Sequence, residues 1–571
     1  MACTFKLGGA AGSGIFTIGS SLAKVLKHSG MNVYTCKDYP SLIKGGHNLF
    51  MIHTCEDKIY SNIKRLDFLV AIDKLTVTKH KDEIKDCKAL IYNSDAVKDL
   101  DIDAGNTHII PVPFTSIAEK IGNRIYANTV AFGAVCGIVK ADVGLAKKIL
   151  EKVFRRKGDK VVQDNIESFQ QGYDATEKYA EKIGILISNN HDENRILING
   201  NQALAYGAIK AGCKFQASYP MTPATSIMQT LAANEIEYNI VLKQTEDEIA
   251  AINTAIGASF AGVRSMVATS GGGFALMSEA LGMAGNAEVP LVVAEVQRGG
   301  ESTGIPTYTG QGDLRFVQHA SQGEFPRIVL APGDPEECFY DGFNAFNLAE
   351  IYQTPVLIIS DKELATMDVT IPKFDMNDMK VNRGKLLKAD EVKEGYKRHE
   401  LTEDGISPRC LPGHPNGMHI ASSYEHDETG YTSEDADVRV KQADKRFRKL
   451  AHLYDRNKAV YRYGDDSPDI QLVVWGSTKG ACLEAMKTFK ELSIKVRIIQ
   501  VRMICPFPSK QFEKAYDPKI PSLMLEHNKT GQLRGIIREN TGIFIENFYG
   551  KYDGRPLYPE DIVEQVRKVL I

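Results

Sequence analysis

Apolar positions recur along this chain in two alternating patterns. Short runs of β-branched and apolar residues at 68–72, 89–92, 108–112, 215–218, 265–269, 290–295, 327–330, 356–360, 470–475, 496–501 and 522–526 predict strands. Between them, apolar or small residues spaced three and four apart predict helices, among them 20–27, 128–139, 143–155, 200–211, 275–286, 335–349, 481–492, 509–515 and 532–539. Strand and helix in turn is the pattern of an α/β fold built on parallel sheets. It breaks twice. Residues 188–195, Ser-Asn-Asn-His-Asp-Glu-Asn-Arg, read as a polar linker. Residues 366–468 carry many charges, Pro and Gly with little periodicity, and predict an irregular connecting region that includes a basic, exposed helical stretch at 441–453. The expected domains are therefore 1–187, 196–365 and 469–571.

The densest signal lies at 241–273, which reads as strand, capped helix, strand and a glycine turn at Gly271-Gly272-Gly273. The helix is rich in small residues (Ala250, Ala251, Ala255, Gly257, Ala258, Gly262), so another backbone is expected close to it. Thr245-x-x-Glu248 satisfies a capping box, with Thr245 at the N-cap and Glu248 three residues on. Glu248 equally suits a cofactor contact beside a glycine turn, and the local sequence leaves both readings open. Two other strand ends carry chemistry. Tyr219-Pro220-Met221-Thr222-Pro223 presents a hydroxyl from a stiff loop. Arg298 leaves an apolar strand into the loop Gly299–Thr307, and arginine binds carboxylates bidentately. Functional groups of open α/β sheets collect at strand C-termini. In a parallel sheet, Thr222, Glu248 and Arg298 face one crevice.

Composition narrows the class. With 571 residues there is more chain than one core can organise. A net charge of −3 gives no global basic footprint for nucleic acid, and no apolar run has the ~20 residues of a membrane span. The N-terminus has no targeting character, so a cytoplasmic protein is expected. Ten cysteines are scattered with no CxxC, which fits free thiols and gives no spacing for an iron–sulfur cluster. His414, His419 and His426, with Glu425 and Asp427, match no standard metal site. Three glycine elements, 8–19, 39–48 and 476–480, suit an anion at a helix start or tight packing with equal weight. None has the dinucleotide-binding spacing.

The combined motifs resemble the alpha subunit of 2-oxoacid:ferredoxin oxidoreductases: Tyr219-Pro-Met-Thr-Pro223, Glu246-Asp-Glu248-Ile-Ala-Ala251, Gln297-Arg298-Gly-Gly-Glu-Ser-Thr-Gly304-Ile-Pro-Thr307, Gln311-Gly-Asp313-Leu, Gly405-Ile-Ser-Pro-Arg409 and Glu425-His-Asp-Glu428. Residues 8–14 and Lys44-Gly-Gly-His-Asn48 resemble the family's gamma subunit, fused ahead of alpha. Three positions depart from the pattern: Ala224 stands where serine is usual, Glu301 where proline is common, and Gly310 where glutamate is common.

The resemblance implies a gamma-type domain, a pyrimidine-binding domain for thiamine diphosphate and a C-terminal transketolase-C-like domain. It implies decarboxylation of a 2-oxoacid, transfer of the acyl group to coenzyme A and of electrons to ferredoxin. Glu248 then matches the glutamate on the aminopyrimidine N1′, with Tyr219, Pro220 and Pro223 beside the cofactor. Thr222 and Arg298 match the groups that hold the substrate's 2-oxo group and carboxylate, and Ser302 and Thr303 lie on the substrate loop. The diphosphate and Mg²⁺ motif is absent here, as is a cysteine cluster, so a beta subunit is expected to supply Mg²⁺ and the [4Fe–4S] cluster in a dimer of alpha–beta heterodimers. Within the family, the loop style points to 2-oxoglutarate, with pyruvate or a branched-chain 2-oxoacid open. A non-catalytic scaffold and a coenzyme A-binding module are the readings outside it.

Overall fold

A computed structural model describes residues 2–41, 45–187 and 193–571. Lys44 of the second glycine element and residues 188–192 of the linker lie outside the described residues. The chain forms two compact units, one comprising Met1–Ile198, Thr366–Lys373 and Tyr558–Glu560, the other Asn199–Ala365, Phe374–Leu557 and Asp561–Ile571.

The first unit begins with β1 (Ala2–Ala11), β2 (Asn32–Asp38), β3 (Gly45–Cys55), β4 (Phe68–Ala71), β5 (Ala89–Asn93), β6 (His108–Val112) and β7 (Arg195–Ile198). The second unit then supplies β8 (Phe215–Ser218), β9 (Val241–Gln244), β10 (Ser265–Thr269), β11 (Leu291–Gln297), β12 (Ile328–Leu330) and β13 (Pro355–Asp361). The chain returns to the first unit for β14 (Val369–Pro372). That unit's sheet runs β6-β5-β4-β1-β3-β2-β14-β7, parallel from β6 to β1 and antiparallel beyond. Phe5, Phe50, Phe68, Phe132 and Phe169 fill its core. The helix predicted from 20 starts earlier and spans Ile15–His28, because Gly14, at φ +77°, turns the chain straight into it.

The second unit holds two sheets. In the first, β12-β13-β11-β10-β8-β9 is parallel throughout, so the carboxyl ends of all six strands lie along one edge. Strands β10, β11 and β13 are buried along their whole length, as expected where helices cover both faces. The other sheet is built from β15 (Val460–Gly464), β16 (Ile470–Val474), β17 (Val496–Val501), β19 (Ser522–Glu526) and β20 (Asn547–Gly550), and β18 (Met503–Cys505) crosses over to pair with β12. The Gly476–Gly480 loop, one of the candidate anion elements, is a docking loop. Lys479 Nζ lies 2.5 Å from Asp334 and 2.6 Å from Glu337, so its charge is met by the helix that follows β12.

Two elements differ from expectation. Gly271-Gly272-Gly273 is the first turn of the helix Gly271–Leu276, not a glycine turn before a later one. The region 366–468 holds the helix Ala436–Arg448, and its basic residues divide between two faces: Arg439, Lys441 and Arg448 are exposed as expected, whereas Lys445, Arg446 and Lys449 are buried. Lys445 and Lys449 close on Glu288, and Arg446 on Glu425. Burial of charge in place of apolar surface explains the missing periodicity.

Candidate functional site

The edge formed by the carboxyl ends of β8, β9, β10 and β11 brings the predicted residues together. After β8 the chain enters the loop 219–223. Asn201 anchors it, donating from Nδ2 to the Pro223 carbonyl (2.9 Å) and to Ser226 Oγ (2.8 Å). The Thr222–Pro223 peptide is cis, Thr222 is exposed and Tyr219 is 40% exposed.

After β9 the capping box expected at Thr245 does not form. The helix is Glu248–Phe260 and its N-cap is Asp247, whose Oδ1 accepts from Ala250 N–H at 2.8 Å. Thr245 Oγ donates to the Asp247 carbonyl (2.8 Å) and so holds the cap residue extended. The consequence is chemical. Asp247 satisfies the helix start, which leaves the Glu248 carboxyl unused by the backbone. Glu248 is 3% exposed, and its Oε1 is buried with no hydrogen-bond partner. Such a group calls for a ligand partner.

Gly273 explains how that carboxyl is accommodated. A Cβ on it would lie 2.6 Å from Glu248 Oε1 and 2.1 Å from Thr269 Oγ1, so only glycine permits the approach. Thr269 Oγ1 in turn reaches Met221 Sδ at 3.9 Å, which joins the end of β10 to the 219–223 loop. From the end of β11, Arg298 donates through Nη1 to the Thr222 carbonyl at 2.8 Å. Thr222 and Arg298 therefore touch directly, while Glu248 and Thr269 lie together over Gly273, and Thr269 reaches Met221, the neighbour of Thr222. Ser302 and Thr303 are solvent-exposed in a loop closed by Gly299 N–H on the Tyr308 carbonyl (2.9 Å), with Ser302 and Gly304 at positive φ.

Several residues here were quoted in the sequence only as parts of motifs, or not at all, and were assigned no role. Gln297 donates to the Ser360 carbonyl (3.0 Å) and accepts from Asp313 N–H (3.0 Å), tying β11 to β13 and to the segment 311–313. Gln311 fastens that segment to the last sheet, its N–H on the His527 carbonyl (2.8 Å) and its Oε1 accepting from His527 N–H (3.0 Å). Glu295 is wholly buried and both of its carboxyl oxygens are without a hydrogen-bond partner. An acid inside the otherwise apolar run Leu-Val-Val-Ala-Glu-Val was the available signal. Burial, reinforced by Asp313, pushes Glu295 well above the ordinary carboxyl range, and burial raises Asp313 to about 6.

The histidines of 405–431 do not form a site of their own. His426 instead stacks near His399 (ring centroids 3.9 Å), and His399 Nδ1 lies 3.0 Å from Glu288 Oε1. These three could surround a cation, but Lys445 (2.7 Å) and Lys449 already take the Glu288 oxygens. The arrangement is an internal ion cluster.

Comparison with known proteins agrees with this geometry. Residues 206–445 match the family described as pyruvate flavodoxin/ferredoxin oxidoreductase, thiamine diP-bdg, and residues 4–175 match pyruvate ferredoxin/flavodoxin oxidoreductase. A 2-oxoacid:ferredoxin oxidoreductase subunit alpha from Sulfolobus sp is 33% identical, covering 100% of this chain and 97% of that one. The 2-oxoglutarate synthase subunit KorA of Methanothermobacter thermautotrophicus is 33% identical over 65% of this chain and 98% of its own. A solved 2-oxoglutarate:ferredoxin oxidoreductase from Magnetococcus marinus, with 2-oxoglutarate, coenzyme A and succinyl-CoA bound, superposes over 100% of both chains with a TM-score of 0.92 and 33% identity. The chain belongs to the alpha subunits of the 2-oxoacid:ferredoxin oxidoreductases.

Proposed function

We propose that this chain is the fused gamma–alpha catalytic subunit of a cytoplasmic 2-oxoglutarate:ferredoxin oxidoreductase. With a beta subunit it converts 2-oxoglutarate and coenzyme A to succinyl-CoA and CO₂, the released electrons passing to ferredoxin. In this reading residues 1–187 are the gamma-like domain, 196–365 the pyrimidine-binding domain, and 469–571 the transketolase-C-like domain. The beta subunit supplies Mg²⁺ and the [4Fe–4S] cluster, and the assembly is a dimer of alpha–beta heterodimers. The ten cysteines support that division, since nine are buried, all are unpaired and none is grouped for a cluster.

One observation carries the proposal: a buried carboxyl with a free oxygen, Glu248 Oε1, on the strand-end edge that also holds the Arg298–Thr222 contact. That oxygen fits the aminopyrimidine of thiamine diphosphate, with Tyr219, Pro220 and Pro223 alongside. The cofactor, when bound, supplies a nucleophilic carbon and an electron sink for decarboxylation. Glu248 holds a proton at Oε1 for the ring nitrogen. Arg298 pairs with the substrate carboxylate, and the exposed Thr222 hydroxyl donates to the 2-oxo group. Ser302 and Thr303 face the substrate's distal end. The choice of 2-oxoglutarate follows the Methanothermobacter and Magnetococcus relatives. Pyruvate is the second reading, favoured by the descriptions of both matching families.

Co-expression with the beta subunit tests this. Coenzyme A-dependent viologen reduction is compared across 2-oxoglutarate, pyruvate and 2-oxoisovalerate. Highest kcat/KM with 2-oxoglutarate is expected. Preference for pyruvate or the branched acid moves the substrate, and no reduction with any of them rejects the catalytic reading in favour of a scaffold or coenzyme A-binding role.

A further inference from the structure

Residues 299–308 fold back on themselves directly after Arg298. Gly299 bridges Ile305, the Ile305 N–H donates to the Gly299 carbonyl (2.8 Å), and the Gly299 N–H donates to the Tyr308 carbonyl (2.9 Å). Ser302 and Thr303 form the exposed tip of this small hairpin. The hairpin has no core of its own to fix its direction, because every residue from Gly300 to Ile305 is exposed. What holds it is the segment 551–555, which follows β20 in the last sheet. Gly554 sits at φ +79°, and a Cβ on it would lie 2.5 Å from Ile305 Cδ1 and 3.0 Å from Tyr308 Cβ. Its carbonyl accepts from Thr309 N–H at 3.2 Å. Beside it, the Arg555 guanidinium lies over the Tyr308 ring, 4.0 Å from the centroid, well inside the ~6 Å over which a cation is attracted to an aromatic face. The segment is anchored in turn. Lys551 donates its N–H to the Glu526 carbonyl (3.0 Å) and its Nζ to Asp553 (3.0 Å), and Asp553 Oδ1 accepts from Arg555 N–H (2.8 Å). Asn528, two residues after Glu526, donates from Nδ2 to the Gln311 carbonyl (3.0 Å). The last sheet therefore grips the chain at 305–309 and again at 311.

We infer that residues 551–555 are a positioning clamp on the substrate loop, in which Gly554 and Arg555 fix how far the Ser302–Thr303 tip stands from Arg298 and so which length of 2-oxoacid the site prefers. This rests on the proposal that Arg298 binds the substrate carboxylate and the tip faces the distal end. The two ends of the substrate are then held by different means. Arg298 is tied to the Thr222 carbonyl whatever the clamp does. The tip has no such tie, and its place is set at the base of the hairpin, where Gly554 and Arg555 press on Ile305 and Tyr308. Residue types agree with the role. Only glycine combines a left-handed backbone with so close an approach, and a planar guanidinium stacks on a ring where an ammonium does not. Gly554 and Arg555 are positioning residues, since they touch the loop and not the reacting atoms.

The test uses the assembled complex with the beta subunit. Arg555→Ala removes the cation from the Tyr308 ring. KM for 2-oxoglutarate is expected to rise roughly two- to fivefold, the worth of one exposed cation–aromatic contact. Its kcat is expected to hold, because binding lost equally from ground and transition states appears in KM alone. Pyruvate has no distal group to meet the tip, so its kcat/KM is expected to stay within about twofold. Tyr308→Leu reproduces the effect, Tyr308→Phe, which keeps the ring, does not, and Arg555→Ala added to Tyr308→Leu costs nothing further. Gly554→Ala, whose methyl would meet Ile305, shifts the same ratio further. Hydrogen exchange gives a readout independent of turnover: amides of 299–309 exchange faster in Arg555→Ala, while those of β19 do not change. Equal losses with 2-oxoglutarate and pyruvate overturn the inference, as do fully additive effects of the Arg555 and Tyr308 substitutions or an unchanged exchange rate at 299–309. Failure of the functional reading looks different, because then the unmodified complex does not turn over 2-oxoglutarate at all, while the exchange difference remains.

Discussion

At the scale of single residues, the site turns on where a helix places its cap. Had Thr245 capped the helix, Glu248 would sit at its third position and its carboxyl would return to the backbone, the reciprocal arrangement of a capping box. With Asp247 as the cap, Glu248 becomes the first helical residue, and its carboxyl points into protein with one oxygen unclaimed. The sequence contained both residues two positions apart, and local propensity does not choose between Thr and Asp as N-cap. What decides is burial. Thr245 is buried and spends its hydroxyl on the Asp247 carbonyl, while Asp247 sits nearer to solvent. Glu248→Gln keeps the shape but removes the proton that a carboxyl can hold. In the complex, kcat is expected to drop roughly a hundred- to ten-thousand-fold, the usual worth of a positioned acid–base group, with the assembly intact by size-exclusion chromatography. Turnover within twofold of the unmodified enzyme would return Glu248 to a structural role.

At the scale of elements, Glu248–Phe260 and Gly271–Leu276 test separately what stabilises the helix and what shapes the site. Asp247→Ala removes the donor's partner at the cap and should lower stability by about 1 kcal/mol, read as a modest fall in denaturation midpoint. Gly273→Ala acts through space. Its new methyl would collide with Thr269 Oγ1 and Glu248 Oε1, so activity should fall by more than tenfold while the helix, which favours alanine over glycine by about 1 kcal/mol, is not weakened by propensity. Equal losses of stability and activity in the two variants would mean that Gly273 serves only packing. Strands β10, β11, β12 and β13 of the parallel sheet were legible in the sequence because they are buried on both faces and read as apolar runs. The hairpin β2–β3 and the helical start at Gly271 were not. Asn32–Asp38 mixes polar and apolar residues along a strand that pairs on both sides, and three glycines carry no helix signal.

At the scale of the whole molecule, the least legible stretch was 366–468, and the reason is the kind of interaction that holds it. Its helix Ala436–Arg448 is fixed by Lys445 and, just beyond its end, Lys449, which converge on Glu288, joined by His399 and His426. Periodicity analysis recognises apolar faces and is blind to a core made of ions. Such a core brings its own pH dependence. Burial and the positive charge of Arg398 hold His399 at about 3, although Glu288 pulls the other way, so the imidazole stays neutral in the folded protein. In the unfolded chain it takes a proton near 6.5. The unfolded state therefore binds more protons between those two values, and stability falls as pH drops through that window, by at most about 1.4 kcal/mol per pH unit for this one group. His426, also held below its ordinary value by burial, acts with the same sign. Glu288 lies far below the ordinary carboxylate range because Lys449 and Lys445 outweigh its burial. Its contribution is lost only at still lower pH, as the pH falls through its folded value. His399→Asn separates these effects. The amide can donate to Glu288 in place of Nδ1–H but does not titrate. Denaturation midpoints measured from pH 7 to pH 4.5 should decline less steeply in this variant than in the unmodified chain. Parallel slopes would show that His399 is protonated in the folded protein and that the ion cluster already holds one more positive charge.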